Sequence, residues 1–93
     1  MTPRVSCLAA GDGWRCTVTV GDDADATIHD VTVDRATRED LAPEATVDEL
    51  VAASFAFLLE REPRAAIMRH FELPVIGRYF RDYPDEIRRR FRE

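Results

Sequence analysis

The chain has no lysine, no asparagine and no glutamine, so all 13 of its basic residues are arginine. Its only permanent cations are planar, fork-shaped donors, which suit carboxylates and aromatic faces. Long apolar runs are also missing: none approaches the roughly 20 residues that a membrane-spanning helix requires. The opening Met1-Thr2-Pro3-Arg4 lacks the apolar stretch of a secretory signal, which makes the cytoplasm the expected compartment. Cysteine and histidine occur only twice each. Eight residues separate Cys7 from Cys16, which fits no Cys-x-x-Cys motif, and only His29 and His70 remain to complete a zinc site. No metal or cofactor is therefore expected.

Ninety-three residues leave room for one core and no second domain. With 45% apolar and 33% charged residues the chain is too hydrophobic to stay disordered. Charge is uneven along it. Residues 1–50 hold 11 acids and 4 arginines, whereas residues 51–93 hold 7 acids and 9 arginines. An acidic first half beside a weakly basic second half can steer head-to-tail association, within the limits of salt screening. The net charge of −5 argues against nucleic acid as a partner.

The expected fold class is α+β: a three-stranded antiparallel β-meander (1–35) with one face covered by a long helix, then short C-terminal helices (36–93). Residues 4–10 and 14–20 flank Gly11-Asp12-Gly13, a strong hairpin signal. Gly11-Asp12 suits a type II′ turn and Asp12-Gly13 a type I′ turn, so two registers compete. Either one gathers Val5, Cys7, Trp14, Cys16, Val18 and Val20 on one face, the alternation of a half-buried pair. A third strand over 27–34 follows the acidic loop Gly21-Asp22-Asp23-Ala24-Asp25. If Val20 pairs with Thr27, Val31 and Val33 join the apolar face opposite Cys16 and Trp14, and His29 lies near Val18.

Under the type II′ register Cys7 faces Cys16; under the other they are diagonal neighbours. In a cytoplasmic protein the pair is expected to be two reduced thiols serving as small core hydrophobes rather than a redox couple. The acidic loop lacks the Gly and Glu that a calcium-binding EF-hand needs at its sixth and twelfth positions: counting from Asp22 these are Thr27 and Val33. His29 is expected to be structural, with no Ser or Cys paired to it.

In the second half, Thr37-Arg38-Glu39-Asp40 can open one short turn, which Pro43 ends. Thr46-Val47-Asp48-Glu49 has the form of a capping box. Behind it Val47, Leu50, Val51, Ser54, Phe55 and Leu58 recur at helical spacing, which predicts a helix over 47–61 stopped by Pro63. Further helices are expected over 64–71, 75–80 and 85–92, restarted at Pro63, Pro74 and Pro84. Five of the eight aromatic residues lie from Phe71 onward. Part of them must close the core. The rest, beside Arg78 and Arg81, have the composition of interface hot spots. Ser54-Phe55-Ala56-Phe57-Leu58-Leu59-Glu60-Arg61-Glu62-Pro63, followed by Ile67, Phe71, Val75-Ile76 and Tyr79-Phe80, resembles a segment of small uncharacterised bacterial proteins. That resemblance covers the chain from Ser54 onward and implies no activity.

These features favour a non-catalytic module for protein–protein interaction or self-association, with Ile76, Arg78, Tyr79, Phe80, Arg81 and Tyr83 as its partner-binding residues. The alternative is a nucleic-acid-binding regulator using 65–92, in which 65–80 reads loosely as helix–turn–helix and Arg88-Arg89-Arg90 contact phosphates. A third reading is a small enzyme using Cys7, Cys16, His29, His70 or an acid, or a small-molecule binder beneath the C-terminal helices. Neither a nucleophile–base pair nor a cofactor motif supports it.

Overall fold

The computed structural model describes residues 2–22 and 24–92; Asp23 of the acidic loop lies outside the described residues. The first hairpin joins β1 (Arg4–Ala10) to β2 (Gly13–Val20) with Ala10 opposite Gly13. The loop is thus Gly11-Asp12. Gly11 has φ +57° and Asp12 is not positive, which is the type II′ pattern. Gly13 has its own reason to lack a side chain: a Cβ there would collide with the Val33 carbonyl oxygen. β3 (Thr27–Asp34) pairs antiparallel with β2 in the register that the apolar pattern demands. Val20 faces Thr27, Val18 faces His29, Cys16 faces Val31 and Trp14 faces Val33. A slip of one residue would turn Val18, Val20, Val31 and Val33 from the core to solvent, so this register is strongly specified.

The thiol expectation is overturned. Cys7 and Cys16 form a disulfide, with their Cα atoms 4.0 Å apart. The hairpin explains why. Closing at Ala10–Gly13 makes alternate pairs hydrogen-bonded, so Cys7–Cys16 falls on a non-hydrogen-bonded pair, where facing residues approach most closely. Both sulfurs then project from the same face within bonding reach. Local geometry prevailed over an argument from compartment.

Helices cover the apolar face. α1 (Arg35–Leu41) starts directly from β3, because the Asp34 carboxylate accepts from the Thr37 amide at 2.8 Å. It is longer than the single turn expected at 37–40. α2 (Val47–Leu59) carries the expected capping box: the Glu49 amide donates to the Thr46 hydroxyl at 3.1 Å, and the Thr46 amide donates to Glu49 at 2.9 Å. Its buried stripe of Val47, Leu50, Val51, Phe55 and Leu58 packs against the buried valines of β2 and β3 as one core. Val47, Leu50, Phe55 and their neighbours drive this contact at about 25 cal/mol per Å² of apolar surface removed from water.

The meander gains a fourth strand that the sequence reading missed. Where a helix was expected over 64–71, one 3-10 turn (Arg64–Ala66) leads into β4 (His70–Glu72), parallel to β3. The sheet is therefore mixed, in the order β1-β2-β3-β4. The far edge of β3 carries backbone groups that need partners. The Asp30 amide finds one in the Arg69 carbonyl at 2.7 Å. A second 3-10 turn (Leu73–Val75) and α3 (Ile76–Tyr79) follow, then α4 (Tyr83–Arg90) with Pro84 in its first turn. α4 lies against α2, burying Tyr83 and Ile87.

The disulfide closes a nine-residue separation. By the loop-entropy argument, opening it should lower stability by about 2–3 kcal/mol. The intact mass under native conditions should be two hydrogens short of the fully reduced chain. Chemical denaturation with and without a reductant checks the stability difference. A native mass matching free thiols would contradict the bond.

Candidate functional site

The aromatic C-terminal segment divides between core and surface. Ile76 and Tyr83 are buried. The Tyr83 hydroxyl lies 2.7 Å from that of Ser54, which in turn donates to the Leu50 carbonyl. Burial pushes the Tyr83 pKa well above its ordinary value, and the Ser54 bond only partly offsets this. A phenol desolvated and bonded in this way is a core polar group that needs no water. Phe80 is half-buried and meets Phe57 edge-on, with ring centroids 5.9 Å apart. Arg61 lies over the Phe57 ring at 3.6 Å and also donates to Asp82 at 2.8 Å.

Tyr79 is left outside, 67% exposed. α3 is only four residues long, and the chain turns extended at Phe80. Ile76 therefore seals the core while Tyr79 points away. Arg78 and Arg81 are exposed and make no ion pair among the described residues. Of the six residues proposed from sequence, Tyr79, Arg78, Arg81 and part of Phe80 remain available to a partner. Ile76 reaches the surface only through the hollow described next.

That hollow encloses about 380 Å³ between α2, the chain entering β4, and α3. Leu58, Ile67, Phe71, Ile76 and Phe80 line it, with Met68, Tyr79 and Glu62. Met68 is itself 39% exposed, a large apolar side chain beside an apolar recess. Ile67, Met68 and Phe71 were missed as site residues because 64–71 was read as one helix. The signal that could have found them is the polar–apolar–polar order of His70-Phe71-Glu72, a strand period.

The titratable groups offer less chemistry. His29 is fully buried against Phe55. Its Nδ1 lies 2.7 Å from the Met68 carbonyl and its Nε2 2.9 Å from the Thr27 hydroxyl. Donation from Nδ1 to that carbonyl leaves Nε2 to accept from Thr27, so a neutral ring satisfies both contacts. Burial lowers the His29 pKa; the Met68 carbonyl opposes this and the Arg69 charge adds to it. His70 is exposed, 3.3 Å from Asp30, at an open recess of about 720 Å³ that also touches Trp14, Arg15 and Glu72. No group of three metal-ligating side chains occurs among the described residues. No helix among them is long and apolar enough to cross a membrane.

No family model, no curated protein and no solved structure matches this chain.

The division into core and surface has a direct check. Tyr83→Ala should destabilise the fold by about 3–5 kcal/mol. Tyr79→Ala should change stability by no more than about 0.5 kcal/mol. Thermal or denaturant melts of the two variants compare them, and equal losses would contradict the division.

His29 generates a second expectation. Its folded pKa lies below the ordinary 6.5, so the unfolded chain binds the extra proton first. The stability from the neutral ring is complete above pH 6.5 and is lost as pH falls toward the folded pKa. One proton limits the slope to about 1.4 kcal/mol per pH unit. Melts between pH 7 and 5 should show this slope in the wild type and a flatter one in His29→Gln.

Proposed function

We propose that this chain is a non-catalytic interaction module that docks an acidic, amphipathic segment of another protein. The observation that carries the reading is the apolar hollow of about 380 Å³ with Met68 and Tyr79 exposed beside it. Recesses that accept one or two apolar anchors and are flanked by aromatic and arginine side chains are the usual form of interface hot spots. The charge of the partner follows from the neighbours. Arg69, Arg78 and Arg81 are exposed next in sequence to Met68, Tyr79 and Phe80, against one acid, Glu62, in the lining. Unengaged guanidinium groups around an apolar seat favour carboxylates flanking the inserted side chain.

The nucleic-acid reading has less support. The first of its two helices is replaced by a turn and β4. Arg88 and Arg90, offered as phosphate contacts, are bound to Asp40 and Glu60. For an enzymatic reading, no exposed nucleophile pairs with His29 or His70 among the described residues. As for compartment, a persistent disulfide is characteristic of oxidising surroundings. In a reducing cytoplasm the Cys7–Cys16 bond would open, and β1 would be held by its ladder and packing alone.

Fluorescence polarisation tests the proposal with a short labelled peptide carrying Leu and Phe at helical spacing among Glu residues, and the same peptide with Lys for Glu. The acidic peptide should bind and the basic one should not. Tyr79→Ala should weaken binding by about 2 kcal/mol or more while leaving the melting temperature in place. Equal binding of both peptides, or of neither, would sink the reading.

A further inference from the structure

The two edges of the sheet are built differently. β4 is three residues long, carries exposed His70 and Glu72, and runs into Pro74. Shortness, charge and proline are the means by which edge strands avoid pairing with other chains. β1 has none of these along residues 5–10: in a chain one-third charged, Val-Ser-Cys-Leu-Ala-Ala holds no charge, no proline and no glycine. Its ladder to β2 closes at Ala10–Gly13, so Ser6, Leu8 and Ala10 turn their backbone groups toward β2. Val5, Cys7 and Ala9 turn theirs outward. That leaves six donors and acceptors along an uncharged edge, with Leu8 on the open face 75% exposed.

We propose that β1 pairs antiparallel with β1 of a second copy of this chain, about a two-fold axis at Cys7, making one continuous eight-stranded sheet. This register sets Val5 opposite the partner's Ala9 and Cys7 opposite the partner's Cys7, so every outward-facing group meets another. Ser6 then faces the partner's Leu8, and the two exposed leucines become diagonal neighbours. Charge selects a second copy in this direction. Arg4 and Asp12 are exposed at opposite ends of the hairpin and form no ion pair among the described residues. Antiparallel pairing brings Arg4 opposite the partner's Ala10, beside the turn that carries the partner's Asp12, and a long arginine side chain can reach toward it. The contact is isologous, so the ion pair occurs twice and the assembly closes as a dimer. The disulfide fixes the central residue of the edge against β2. This surface is separate from the hollow and does not depend on it.

Sedimentation of the full chain from micromolar to millimolar concentration should show a reversible dimer. Ala9→Pro removes an outward amide and no bond to β2, and should give a monomer that still melts cooperatively. The Ser6→Glu/Leu8→Glu double variant sets like charges opposite each other twice and should weaken the dimer about tenfold or more. Ser6→Arg/Leu8→Glu sets opposite charges in the same places and should restore it. These two positions lie on the open face, so the pair decides the question even if Ala9→Pro fails to fold. A chain that stays monomeric throughout, a dimer indifferent to both double variants, or one equally weakened by them would overturn the proposal. A dimer lost only in Tyr79→Ala would place association at the hollow and overturn it as well. Peptide binding at the hollow should persist in every β1 variant, so the two surfaces fail or stand separately.

Discussion

His29 is fully buried, and both of its ring nitrogens are in use. One contact stays within β3, at Thr27; the other crosses to the Met68 carbonyl, 39 residues away. Beside it the Asp30 amide holds the Arg69 carbonyl. These two bonds fasten the chain that follows α2 to the edge of the meander, and β4 takes its register from them. An imidazole suits the position because it can donate at one nitrogen while accepting at the other. Removing either partner would strand a polar group in the core, where the penalty is about 1–3 kcal/mol.

The hollow is a consequence of that attachment. Ile67 precedes the fastened backbone and Met68 begins it, Phe71 follows against Phe55, and α3 closes the far side. Had 64–71 been a helix, Ile67 and Phe71 would have shared a face and filled this space. Because only 64–66 forms a helical turn and 70–72 a strand, the segment does not pack as one helix and the hollow lined by Ile67, Met68 and Phe71 stays open. Tyr79 is exposed for a related reason. A four-residue helix offers a single buried position, and Ile76 occupies it.

The meander was legible in the sequence because its information is local. Alternation named the covered face, the Gly-Asp-Gly turn allowed two registers, and the Val20–Thr27 pairing followed from keeping the valines together. The capping box located the start of α2 at Val47, and Pro63 its end to within two residues. β4 was not legible, since three residues carry little periodicity and their partner lies about 40 positions away. The proline restarts also misled. Pro63 does precede a helical turn, but that turn is only Arg64–Ala66. The division of the aromatic segment between core and surface was not legible either, since it depends on where α3 stops: Ile76 and Tyr83 are buried and Tyr79 is exposed.

The exclusive use of arginine acquires a physical meaning in the helical half. Arg88 serves Asp40 through two oxygens and Asp85 through a third, joining α4 to α1. Arg90 holds both oxygens of Glu60 at the end of α2, and Arg61 stacks on Phe57 while reaching Asp82. Each guanidinium spans several acceptors at once, which a compact ammonium does less well. Exposed pairs of this kind are individually worth about 0–1 kcal/mol. Their effect is therefore on direction: burial of Tyr83 and Ile87 supplies the drive, and the forks select the orientation in which α4 lands. Arg78 and Arg81 have the same chemistry and form no ion pair among the described residues. They stand exposed next in sequence to Tyr79 and Phe80.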